Sequence, residues 1–288
     1  MLKKYFKIFF GICLFSFLVI RFDYSSIIET IKSSDISYIA IGFTLFFISG
    51  VFEVCKFLAL LSRKFTFLEA LKIVYSGLFL NNFVPTNIGG DAYRILKVAK
   101  RSNYKTSSII VLMDRLNGLI LILLLSLFAL HLRPVDLSEF GVSSVENIWV
   151  VSALLVLFLF VSFVIVTSKH TQKILGDIRL ISMSGYLFSV IHSMLFHIFR
   201  IVGIYYFILA VGSDINIFDI SVVLALVLLI SVIPISIGAL GVREAAFVAG
   251  FSIYSIDPVS GLAVAILTRF FLFFQAAVGY FTFSLGKK

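Results

Sequence analysis

The sequence predicts an all-α, polytopic membrane helix bundle of about six full spans plus two helical hairpins broken by proline and glycine. Three observations carry that expectation. The 288-residue chain is 60% hydrophobic and 14% charged, with a mean hydropathy of +1.11, too apolar for a globule to hide its oily side chains from water. Its Lys and Arg residues gather at the ends of apolar runs, so the net charge of +9 marks the cytoplasmic side of a membrane and gives no ground for nucleic-acid binding. Two apolar runs end at a proline followed by a glycine-containing turn, the mark of helices that break inside a membrane.

In chain order, runs of crossing length fall near 5–20, 37–61, 106–132, 147–167, 181–211 and 259–285, each close to the roughly 17–25 residues that a span needs. The first has a basic start but no small-residue cleavage site before Arg21, and reads as a retained span rather than a signal peptide. The broken runs are 67–84, ending at Pro85, and 217–233, ending at Pro234. Charge sets the orientation: Lys3, Lys4 and Lys7 start the chain, segment 94–105 carries a balance of +5 and segment 168–180 one of +2, whereas 21–36 balances at −1 and 133–146 at −2. The positive-inside rule then places both termini on the cytoplasmic side of the membrane. Both flanks of run 67–84 come out inside, so that run enters and turns back. The second hairpin, 217–256, enters from the opposite face.

The whole chain, 1–288, reads as a single membrane domain with an internal repeat, about 37–132 and 181–285. P-T-N-I-G-G-D-A-Y-R, from Pro85 to Arg94, aligns without a gap on P-I-S-I-G-A-L-G-V-R, from Pro234 to Arg243. After each comes a span carrying an arginine, Arg115 and Arg269. Opposed directions make the repeat inverted, an arrangement in which transporters place their site at the repeat interface.

Charges and open backbone groups inside hydrocarbon are costly and persist where they line a cavity or bind a polar ligand. The Gly89–Gly90–Asp91 turn opens the helix AYRILKVAK, with Asp91 as its expected N-cap, and Arg94 stands one turn on. A helix start plus an arginine fork suits an anion, above all phosphate. Gly238, Gly241, Arg243 and Glu244 repeat the arrangement. The plainer alternatives are an i, i+3 pair between Asp91 and Arg94, and structural links through Asp114 and Arg115 or Glu53 and Lys56. Arg200 and Arg269 lie so deep in apolar runs that each needs a buried partner or a ligand. His192 and His197 read as satisfied core or interface residues, Cys13 and Cys55 as inert buried thiols, and no metal site or cofactor is expected. Nucleotide-binding and hydrolase motifs are missing, which argues against an ATP-driven pump.

N-N-F-x-P-x3-G-G-D-x-x-R, from Asn81 to Arg94, and P-x-S-x-G-x2-G-x-R-E, from Pro234 to Glu244, resemble the lysylphosphatidylglycerol synthase transmembrane (flippase-like) family, the membrane domain of bacterial multiple peptide resistance factors. The resemblance implies a lipid flippase or scramblase rather than an enzyme, with Asn82, Pro85, Gly89, Gly90, Asp91, Arg94, Pro234, Gly238, Gly241, Arg243 and Glu244 as its working residues. Arg115 and Arg269 join them as the arginines of the following spans. The aminoacyl-transfer domain fused to those resistance factors is not expected in a sequence that stops at Lys288, so the lipid stays open: an aminoacyl lipid made by another protein, a polyprenyl-phosphate sugar, or another anionic lipid. Partners implied are anionic membrane lipids, a separate glycosyltransferase or aminoacyl-lipid synthase, and a second copy of the chain. The rival readings are an intramembrane glycosyltransferase or lipid-modifying enzyme using Asp23 or Asp91, and a secondary transporter of a small anion.

Overall fold

The computed structural model describes residues 2–22, 24–61, 65–83, 89–133, 182–233 and 235–285. Among them the secondary structure is helical throughout: α1 Leu2–Arg21, α2 Tyr24–Ser33, α3 Ile36–Leu60, α4 Phe67–Phe83, α5 Gly89–Ala99, α6 Tyr104–Leu132, α7 Met183–Ala210, α8 Ile217–Val232, a short turn of helix at Ile237–Ala239, α9 Val242–Ser252 and α10 Pro258–Leu285. The expected span 147–167 and both break prolines, Pro85 and Pro234, lie outside the described residues, as does Asp23.

Local chemistry sets the helix starts. Asp35 accepts from Ser37 N at 2.8 Å, Asn103 from Thr106 N at 2.8 Å, Ser182 Oγ from Gly185 N at 3.0 Å and Asn216 from Phe218 N at 3.0 Å, each satisfying one of the N–H groups that a helix start leaves open. Thr66 and Glu69 form a reciprocal capping box on α4. Pro258 opens α10 beneath Asp257, which accepts from Val259 N and Ser260 N.

Four helices, α3, α6, α7 and α10, are long and apolar enough to cross a bilayer, and a fifth span results if α1 and α2, bent by 77°, act as one. Helices α4 and α8, at 17 and 16 residues, reach only about 25 Å at 1.5 Å per residue, short of a hydrocarbon core of roughly 30 Å. Each is followed by an 11-residue helix, α5 or α9.

Packing is reciprocal between the halves. The first spans, α3 and α7, lie side by side, with Gly42 receiving the ring of Phe207 and Gly203 that of Phe46, small residues admitting large ones as membrane helix seams require. Helix α4 packs on α10 of the other half, and α8 packs on α6 of the first. Within each half the two hairpin helices pack together, and the second of them on the span that follows. The largest core cluster, with Phe207, Phe247, Phe251 and Phe271 almost fully buried, binds α7, α8, α9 and α10 together. Tyr75, on α4, and Gly279, on α10, approach so closely that a Cβ at Gly279 would overlap the Tyr75 carbonyl oxygen.

Candidate functional site

The turn of the second hairpin reaches α4. A Cβ on Gly238 would stand 3.1 Å from the backbone oxygen of Asn82 and 3.4 Å from its Cα, so the second hairpin touches the last turn of α4. Gly238 (φ 58) and Ala239 (φ 53) both take the left-handed conformation, which costs a non-glycine residue of order 1 kcal/mol or more. Arg269 holds this turn: its NH1 donates to Gly238 O at 2.8 Å and its NH2 to Ala239 O at 3.1 Å. Its Nε meets Glu244 Oε1 at 2.6 Å, and Glu244 Oε2 accepts from Gly241 N at 2.7 Å. The pair is dry, with side-chain exposures of 6% and 1%.

The first hairpin is closed differently. Asn81 Oδ1 accepts from Gly90 N at 2.8 Å, so Asn81, not the expected Asp91, caps the start of α5. Asp91 is the third residue of α5 and its carboxylate faces α6, where Arg115 donates to it through NH2 at 2.8 Å and Nε at 3.2 Å. This pair is open, at 47% and 22% exposure. Gly90 lies so close to α4 that a Cβ there would run into the Gly77 carbonyl oxygen; glycine is required for that approach. Gly89 begins α5, and the Asn82 amide donates to Leu78 O at 3.0 Å.

Arg94, expected to hold an anion, is committed to the protein. At 3% exposure it donates to Asp114 Oδ2 at 3.4 Å and to Val74 O at 3.3 Å. Lys56 Nζ sits 3.0 Å from the other carboxylate oxygen of Asp114. An i, i+3 pair between Asp91 and Arg94 is thus replaced by two crossed pairs to α6. Glu53 does not bind Lys56; it accepts from Gln275 at 3.4 Å, within electrostatic reach of Arg94, Arg115 and Arg200. Among the described residues, Arg200 and Arg243 have no carboxylate within ion-pair distance.

The remaining expectations divide. His197 Nε2 contacts Gly118 O at 2.8 Å and His192 Nδ1 contacts Phe188 O at 2.6 Å. Both cysteines are unpaired, but Cys13 is exposed on α1 rather than buried. No group of three His, Cys, Asp or Glu is placed to hold a metal among the described residues. At the outer rim of the network, Glu69 is gripped by Arg101 at the start of α4; that contact, then the Thr66 N–H, pulls its carboxyl down to about 2. A surface depression of about 700 Å³, lined by Arg133, Tyr205, Asp214, Asp219 and Tyr254 among others, lies apart from the network at the ends of α6 and α7.

The motif-bearing hairpins fall inside one match that spans almost the whole sequence: the profile described as Lysylphosphatidylglycerol synthase TM region aligns with residues 5–279. The chain belongs to the lysylphosphatidylglycerol synthase transmembrane family. Family and helices together make it a multi-pass membrane protein. No curated protein and no solved structure matches the chain.

The residues that sequence reasoning missed are Asn81, whose position in N-N-F gave no sign of which asparagine caps, and Asp114 as the shared partner of Arg94 and Lys56. The signal for Asp114 was present in D-R of α6: adjacent residues on a helix point about 100° apart, so the two serve different partners.

Proposed function

We propose that this protein receives the anionic head group of a membrane lipid where its two hairpins meet and passes it between the leaflets of the cytoplasmic membrane, while the acyl chains stay in lipid. Both termini lie in the cytoplasm, and α4–α5 and α8–α9 enter from opposite faces as inverted repeats. The single observation that carries the reading is the contact of Gly238 with Asn82, which brings two interrupted helices, each with an acid–arginine pair, to one place inside an apolar bundle. Irregular backbone at membrane depth is tolerated where it is buried in protein or lines a cavity, and inverted repeats place transport sites at their junction. Asp91, the described one of the two carboxylates weighed for chemistry, is tied to Arg115, which supports transport over catalysis. A separate enzyme that makes the lipid, a glycosyltransferase or an aminoacyl-lipid synthase, is the partner the reading requires.

Purified protein in liposomes loaded with head-group-labelled anionic lipid tests it. Lipid that changes leaflet without covalent change supports the reading. New covalent product, or a leaflet exchange rate equal to that of protein-free vesicles, overturns it.

A further inference from the structure

Two arginines of the network end without an acceptor among the described residues. Arg200, on α7, is 8% exposed, and its Nε is buried without a hydrogen bond. Its guanidinium lies 4.6 Å and 5.7 Å from the rings of Phe196 and Phe46. Arg243, the second residue of α9, also has a buried, unbonded Nε, and sits 5.9 Å over Phe247. The two guanidiniums lie within electrostatic reach of each other. Aromatic faces soften a buried cation but do not neutralise it, and arginine cannot shed its proton. Among the described residues the pair is left short of anionic charge, which an anion from outside the chain would supply.

The charge count says how much anion. Asp91 and Arg115 cancel, as do Glu244 and Arg269. Asp114 is shared by two cations, Lys56 and Arg94, leaving one positive charge over. Glu53 lies within electrostatic reach of Arg200 and Glu244 within reach of Arg243, but Glu244 already binds Arg269, leaving a second. The expected span 147–167 contains no charged residue to alter the balance. Among the described residues the interior surplus is therefore two positive charges.

Resting on the lipid reading above, we propose that the head group bound between Arg200 and Arg243 is a doubly charged phosphate, a terminal phosphomonoester or a pyrophosphate, in preference to the singly charged phosphodiester. Bonding geometry points the same way. A terminal phosphate offers three unesterified oxygens, enough for two-pronged contacts from two guanidinium edges, whereas a phosphodiester offers two, which one arginine already occupies.

The test titrates the full chain, in nanodiscs of neutral lipid, with phosphatidate and with phosphatidylmethanol, which has the same tails and one charge fewer. At pH 8 phosphatidate binds at least about tenfold tighter, about 1.4 kcal/mol. The preference disappears by pH 5, below the second phosphate ionisation near 6. Arg200→Lys and Arg243→Lys keep the charge and lose the fork, and reduce the preference to less than about threefold while the variants still fold by melting temperature. A prenyl diphosphate arm, which has one ionisable oxygen more than phosphatidate, separates the two classes: tighter binding than phosphatidate assigns pyrophosphate, weaker binding assigns the monoester. Equal affinity for phosphatidate and its methyl ester, or a preference unchanged at pH 5, overturns the proposal. If both esters bind equally and both cross the bilayer, lipid transport stands and the double-charge assignment falls. If none of the three lipids binds, both fall.

Discussion

Asp91 and Glu244 hold the same position in their hairpins: each is the third residue of the helix after the break, and each binds an arginine at the twelfth residue of the following span, Arg115 in α6 and Arg269 in α10. The two pairs differ in surroundings. Arg115 is 47% exposed, whereas the side chains of the second pair are 6% and 1% exposed. Equivalent pairs in unequal environments give unequal energetic consequences. Glu244→Gln leaves a buried Arg269 without its counter-charge and is expected to cost about 3–5 kcal/mol, whereas Asp91→Asn breaks a more accessible pair and is expected to cost less. Thermal unfolding of both variants in one detergent measures the difference; equal losses would show that the pairs share one environment.

That equivalence also shows what the sequence carried and what it hid. Helix limits were legible because apolar runs have to match a bilayer: the expected 37–61, 106–132, 181–211 and 259–285 lie within two residues of α3, α6, α7 and α10 at every end. The pairing register was not. Aligning Pro85 with Pro234 sets Arg94 against Arg243 and Asp91 against Leu240, but the second hairpin has a turn at Ile237–Ala239 and starts its helix only at Val242. Counting from helix starts instead sets Asp91 against Glu244 and Arg94 against the buried Phe247. A motif match compares residues along the chain, whereas an ion pair depends on where a helix begins. Arg200 lay in a continuous span, and the sequence could mark its depth but not that no described carboxylate would stand within ion-pair distance of it.

Gly90 tests the close approach of α4 and α5. Gly90→Ala places a methyl group against the Gly77 carbonyl oxygen, where neither backbone can yield without spreading the hairpin, and is expected to cost about 1–3 kcal/mol as overpacking does. Gly118→Ala is the control: Gly118 also lies within a helix, and the atom nearest its added Cβ is His197 Nε2 at 3.8 Å, an ordinary contact. Proteolysis of the α4–α5 hairpin rises in the first variant and not in the second. An equal rise in both would mean that replacing a helical glycine, not contact with Gly77, sets the cost.

Acid should act at the rim. Glu69 is held at about 2, against 4.5 when free, chiefly by Arg101. A carboxyl with a depressed folded value contributes stability that is fully present above its unfolded value and is lost as pH falls through the folded one. The melting-temperature advantage of the native protein over Glu69→Gln is therefore expected to hold at pH 6, shrink below about 4.5 and vanish near 2. High salt should shrink it at every pH, because the pair is exposed. An advantage that grows on acidification would assign the effect to another group.

Lys56 and Asp114 give a prediction of opposite sign for two partners in one contact. Asp114 neutralises a single charge yet touches both Lys56, at 3.0 Å, and Arg94, at 3.4 Å. Asp114→Asn strands two buried cations and is expected to cost about 3–5 kcal/mol or prevent folding. Lys56→Met fills a similar volume and leaves Arg94 and Asp114 as a matched pair, so it removes the uncompensated charge; it is expected to be neutral or stabilising by about 1 kcal/mol. Melting temperatures of the two variants, with Lys56→Gln as a polar control, decide the matter. A Lys56→Met variant as unstable as Asp114→Asn would show that Lys56 has a further anionic partner and that the interior surplus is one charge, not two.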